Sequence, residues 1–158
     1  MIKLYLRAGE RITDYHEAWE SGTTITEHWG QLGTRGNSRE HLIAPGKSIA
    51  LQLQDLLAPA RARGAEVEDK DHAVLLVEYE VTGMGSTTDL DKRYELEDWL
   101  NEFLGWTGLG DCDGGSIGSG TMEACCYVVD FEVAKQSVAK PLKGTKFEDY
   151  SRIYREGA

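Results

Sequence analysis

Long hydrophobic runs are missing from this chain of 158 residues. Nowhere do the roughly 18 consecutive apolar residues of a membrane-crossing helix occur, and the opening Met-Ile-Lys-Leu-Tyr-Leu-Arg lacks the apolar core of a secretion signal. No membrane partner and a cytoplasmic location are therefore expected. Cysteine is scarce as well: Cys112, Cys125 and Cys126 are odd in number. Neighbours on a strand point to opposite faces, so neither a disulfide framework nor a thiolate metal centre is implied, and reduced thiols are expected. Positive charge is the third shortage. Lys and Arg number 17 against 27 Asp and Glu, a net charge of -10. Residues 1 to 71 hold 9 basic and 11 acidic side chains and residues 72 to 158 hold 8 and 16, so the acidity sits in the second half. A field of that sign repels phosphate backbones and favours basic partners.

Signatures of catalysis are also lacking. There is no Gly-X-Ser-X-Gly elbow, no phosphate loop followed by Lys and no dinucleotide fingerprint, so a protein that is not an enzyme and carries no cofactor is expected.

The patterning that is present describes an α+β chain in two parts. Ile2, Leu4 and Leu6 alternate with polar neighbours as on a half-buried strand. Residues 13 to 20 and 23 to 30 predict two strands joined by Ser21-Gly22, with Ile25 and Trp29 on one face, and residues 37 to 43 add a fourth. Pro45-Gly46 breaks the sheet. Ser48 then caps a helix running to about Arg63, with Ile49, Leu53, Leu56, Leu57 and Ala60 as its apolar stripe and Pro59 disturbing its last turn. Residues 64 to 71 are short, charged and aperiodic, the best candidate linker. The expected division is thus 1 to 71 and 72 to 158.

In the second part, residues 73 to 81 predict a strand. Thr88-X-X-Asp91 resembles a capping box before a helix from about Leu90 to Leu104, which buries Leu96, Trp99, Leu100 and Phe103 and stops at Gly105. A glycine-rich stretch, residues 108 to 120, precedes an apolar strand over 122 to 129. Asp130 caps a second helix ended by Pro141, and residues 147 to 154 predict a last strand. Strand, helix, two strands, helix, strand is the order of a ferredoxin-like βαββαβ unit.

Residues 25 to 41 carry the most distinctive order: an alternating strand runs into Trp29-Gly30 and then into Gly33-Thr34-Arg35-Gly36. Together with the opening strand, Tyr15 to Trp19 before a turn, and the closing helix, this resembles the WGR domain, a small module found in poly(ADP-ribose) polymerases and in many bacterial proteins. Gln31 stands where that family has the Arg of its Trp-Gly-Arg triplet. The resemblance implies an antiparallel sheet covered by one helix and a recognition role. In the polymerase relatives this segment meets a DNA end and neighbouring domains.

The candidate partner-binding residues are therefore Trp29, Gly30, Gln31 and Gly33, with Arg35, Arg39 and Lys47 as a small basic patch. An indole stacks on an unpaired base or packs into a core, and both readings fit Trp29. Six glycines in residues 108 to 120 suit a hairpin with tight turns or a bulge. Asp111, Asp113 and Glu123 are weak candidates for a cation site, because their spacing does not fit an EF-hand. His16, His28 and His41 could meet across neighbouring strands as zinc ligands, although satisfied histidines are the commoner outcome. The expected function is a non-catalytic binding protein with a protein partner. The alternatives are binding to a DNA end or RNA through the Trp-Gly segment, and an immunity or antitoxin-like inhibitor of a basic toxin. Sequence leaves the oligomeric state open.

Overall fold

The computed structural model describes residues 1 to 67 and 69 to 157. It is an α+β structure with two antiparallel sheets and three helices among the described residues. Each sheet draws its strands from one side of residue 71.

The first sheet contains β1 (Ile2–Ala8), β2 (Arg11–Ser21), β3 (Thr24–Gln31), β4 (Asn37–Leu42) and the two-residue β5 (Gly64–Ala65), in the order β4-β3-β2-β1-β5. Alternation divides its side chains between two faces. One face carries Leu4, Ala18 and Ile25, which pack with Leu53, Leu57 and Ala60 of α1 (Ile49–Arg61) into a small core. Ser48 caps that helix by accepting from the Leu51 amide, and the rod ends two residues beyond Pro59. The opposite face carries Tyr5 and Tyr15, which join a larger core shared with the second half.

The predicted linker is only partly a linker. Gly64 and Ala65 pair with Leu6 and Tyr5 as the fifth strand, and Asp69–Asp71 forms a 3-10 turn. Glycine is needed at position 64, since a methyl group there would lie 2.8 Å from the Tyr5 carbonyl oxygen.

The second sheet contains β6 (Ala73–Glu80), β7 (Gly110–Gly118), β8 (Thr121–Val128) and β9 (Arg152–Arg155), in the order β7-β8-β6-β9 with every pairing antiparallel. Between these strands run α2 (Thr87–Trp106) and α3 (Phe131–Leu142). Leu96, Leu100 and Leu104 of α2 and Ala134, Val138 and Leu142 of α3 cover one sheet face, where Leu75, Val77, Tyr79, Met122 and Cys126 point.

Three sequence expectations are corrected here. The capping box is Ser86 with Asp89, not Thr88 with Asp91, so α2 begins at Thr87. Both pairs have the required spacing, and the Ser86 pair wins because Asp89 reaches back to the Ser86 amide at 2.7 Å. The helix also runs past Gly105 to Trp106, and the left-handed residue beyond it is Gly108, φ +70°. The last strand is confined to Arg152–Arg155: Phe147 is a buried core residue whose carbonyl accepts the Tyr79 hydroxyl at 2.9 Å.

The glycine-rich stretch forms β7, its bulge between Cys112 and Gly115, and the turn into β8. A methyl at Gly110 would lie 1.9 Å from the Tyr127 carbonyl oxygen, so close backbone approach explains that glycine.

Candidate functional site

The two halves meet at a polar and aromatic seam. Strand register sets Lys3 opposite Glu17 and Glu17 opposite His28 on the sheet face turned away from α1. Lys3 Nζ lies 3.2 Å from Glu17 Oε2, and His28 Nδ1 lies 2.8 Å from Glu17 Oε1. His28 Nε2 lies 2.7 Å from the Arg35 carbonyl oxygen and 3.0 Å from the Tyr15 hydroxyl. A carbonyl only accepts, so Nε2 of the buried His28 carries the hydrogen that it gives to Arg35, while Nδ1 faces Glu17. Tyr15 donates onward to the Thr34 carbonyl at 2.9 Å. Burial, and then the Glu17 charge, pushes its phenol well above the ordinary value, which keeps the donor proton in place.

These bonds fasten the turn between β3 and β4 to the rest of the molecule. The Gly33 amide donates to the Thr107 carbonyl at 2.9 Å, just past α2. A methyl at Gly33 would come within 2.9 Å of Ser137 Oγ on α3, and one at Gly108 within 2.2 Å of the Tyr15 ring. Trp106 lies at the centre: its ring is 4.9 Å from His28, 6.0 Å from Trp19 in an edge-to-face contact, and beneath the Arg35 guanidinium at 5.2 Å.

The sequence-predicted residues divide among several environments. Trp29 is half-buried on the α1-side face, 5.8 Å from the His16 ring, with the Arg39 guanidinium 5.9 Å from its centroid. Gly30 backs onto Gly36: a methyl there would lie 2.6 Å from the Gly36 Cα. Gln31 is exposed and Gly33 is packed against the second half. Arg35 and Arg39 rest on different indoles on opposite faces of the sheet, and Lys47 pairs with Asp55 of α1. The three cations are thus held in separate contacts.

His16 and His41 do meet, each bonding one oxygen of Glu27 at 2.8 and 2.7 Å, whereas His28 points to the other face. Burial alone would raise the Glu27 pKa, but the hydrogen bonds and charges of the two histidines outweigh it and hold the carboxyl below its ordinary value. Among the described residues, no three His, Cys, Asp or Glu side chains group to hold a metal ion. Asp111 and Asp113 flank Cys112 on β7, while Glu123 lies on the outer face of the second sheet. There it accepts from Ser116 Oγ at 3.1 Å and from the Tyr154 hydroxyl, which is pushed up to about 12 by that bond and by burial.

Beside the seam network opens a cleft of about 890 Å³. Its first-half wall is built from Met1, Ile2, Lys3, Tyr5, Glu17, Trp19 and Glu20; the C-terminal end of α2 contributes Asn101, Glu102, Gly105 and Trp106; Glu66, Val67, His72, Gly110 and Asp111 complete it. Five carboxylates and three aromatic rings line it, against Lys3, His72 and the amino group of Met1. Glu17 is neutralised within the network and Glu66 pairs with Arg61 at 3.0 Å, while Glu20 and Glu102 are exposed. The last turn of α2 carries no basic residue, so the negative end of a 20-residue helix adds to the same field.

Sequence reasoning missed this site because its walls come from both halves. Alternation along β2 does place Tyr15, Glu17 and Trp19 on one face, but only tertiary packing brings Trp106 to them. The chain matches no protein-family model, no curated protein and no solved structure.

Proposed function

We propose that this chain is a non-catalytic binding protein that engages a basic protein partner. In this reading a WGR-type module, residues 1 to 71, is followed by a ferredoxin-like unit, residues 72 to 158. Four antiparallel strands in the order β7-β8-β6-β9, with helices after the first and third in sequence, support the second assignment. The sheet with α1 on one face supports the first. The observation that carries the functional reading is the cleft between the halves, whose aromatic walls and surplus of carboxylates complement a cation. The turn after Trp29-Gly30 is occupied within the chain, by Thr107 and α3, which directs the search for an external partner from that turn to the cleft.

The same acidic concavity favours a second reading, an immunity or antitoxin-like inhibitor that plugs a basic toxin surface. Affinity capture from native lysate with and without nuclease tests the proposal. Retention of a basic protein after nuclease treatment is expected. An association that vanishes with nuclease would replace this reading with nucleic-acid binding.

A further inference from the structure

From the cleft's chemistry, and resting on the protein-binding reading above, we propose that it receives an arginine side chain carried on a basic segment of the partner. An aromatic wall and an acidic rim make different demands on an occupant. The half-buried rings of Trp19 and Trp106 favour a flat, weakly hydrated cation that stacks, whereas Tyr5 is enclosed in the core beneath Lys3. The exposed carboxylate of Glu102 favours one that donates two parallel hydrogen bonds, and Glu20, set by strand alternation on the α1-side face, adds negative charge at the edge of the rim. A guanidinium meets both demands, whereas an ammonium meets the second as a point charge only.

Two further features support the assignment. The chain already sets its own guanidinium groups on its indoles, Arg35 on Trp106 and Arg39 on Trp29. The last turn of α2 forms part of the cleft wall and carries no basic residue, so an incoming positive charge complements the helix dipole. The volume of about 890 Å³ exceeds one side chain and accommodates a segment of a few residues.

Titration calorimetry of the full chain with a hexa-arginine peptide tests this, using two charge-matched double variants. Glu20→Gln with Glu102→Gln neutralises the cleft rim; Glu10→Gln with Glu80→Gln removes the same charge elsewhere. All four residues are exposed, so both variants are expected to fold, with unchanged melting temperature as the check. One-to-one binding is expected, weakened about tenfold by the rim variant and unchanged by the control. Equal weakening by both variants would reduce the effect to bulk charge and overturn the proposal. So would absence of binding, or hexa-lysine or spermine binding as tightly as hexa-arginine. Repeating nuclease-treated affinity capture with the rim variant separates the two levels. A protein partner retained equally by wild type and variant removes the cleft but leaves the protein-binding reading standing, whereas no partner retained by wild type removes that reading itself.

Discussion

The backbone carbonyl of Arg35 accepts a hydrogen bond of 2.7 Å from Nε2 of His28. The guanidinium of Arg35 is the feature that stands out in the sequence, yet its carbonyl is what ties the turn to the sheet. His28→Ala removes that donor and also one of the two partners of the buried Glu17 side chain, leaving Lys3 as the other. We expect a loss of about 3 kcal/mol in urea denaturation, the range for breaking a buried charged pair from one side. A loss below roughly 1 kcal/mol would mean that water replaces the imidazole at little cost.

Two glycines with positive φ should respond differently to alanine. Gly46 has φ +78° and open space around it, so Gly46→Ala is expected to cost about 1 kcal/mol, the strain of the left-handed backbone alone. Gly36 has φ +62°, and a methyl there would lie 2.2 Å from the Trp29 carbonyl oxygen and 2.5 Å from the Tyr15 hydroxyl. Gly36→Ala is expected to cost about 3 kcal/mol or more, because the turn must shift as well. Equal losses in parallel denaturation curves would show that the turn has slack.

These two sites mark what the sequence discloses and what it withholds. The glycines, the alternation of β1 to β4 and the caps Ser48 and Asp130 are local signals, and the corresponding elements lie close to their expected positions. Local ambiguity explains the shifts. Ser86 and Thr88 both precede an acidic residue by three positions, and Phe147 is apolar for a core that it reaches without a strand. The cleft was illegible for a different reason: Trp19 and Trp106 are far apart in sequence, and nothing in either neighbourhood specifies that they meet edge to face.

Stability at acid pH should depend on Glu27. Its folded pKa lies below the ordinary 4.5 through His16 and His41, so in the interval beneath 4.5 the unfolded chain binds more protons than the folded one. Stability from this group is therefore complete above that value and is lost as pH falls through the folded pKa. Glu78 has the same sign through its hydrogen bonds to Arg152, at 2.9 and 2.8 Å. Denaturation midpoints measured from pH 7 to 3 should fall less steeply below pH 4.5 for Glu27→Gln than for the wild type. Parallel curves for the two proteins would show that other carboxylates govern the acid limb.

Coupling between the halves should depend on Trp106. Its ring touches His28 and Trp19, and its carbonyl lies 3.3 Å from the Tyr15 hydroxyl, so first-half side chains surround a residue at the end of a second-half helix. Leu96, Leu100 and Leu104 hold α2 to the second sheet independently of that ring. Trp106→Ala is expected to cost about 3 kcal/mol and to divide one cooperative unfolding transition into two. Trp99 provides the control: it stacks on Phe103 at 5.1 Å within α2 itself, so Trp99→Ala should lower stability while leaving a single transition. Tryptophan fluorescence and far-ultraviolet circular dichroism, followed together through urea, report the difference. Coincident curves for Trp106→Ala would show that Leu32, Gly33 and the shared core suffice to couple the two sheets.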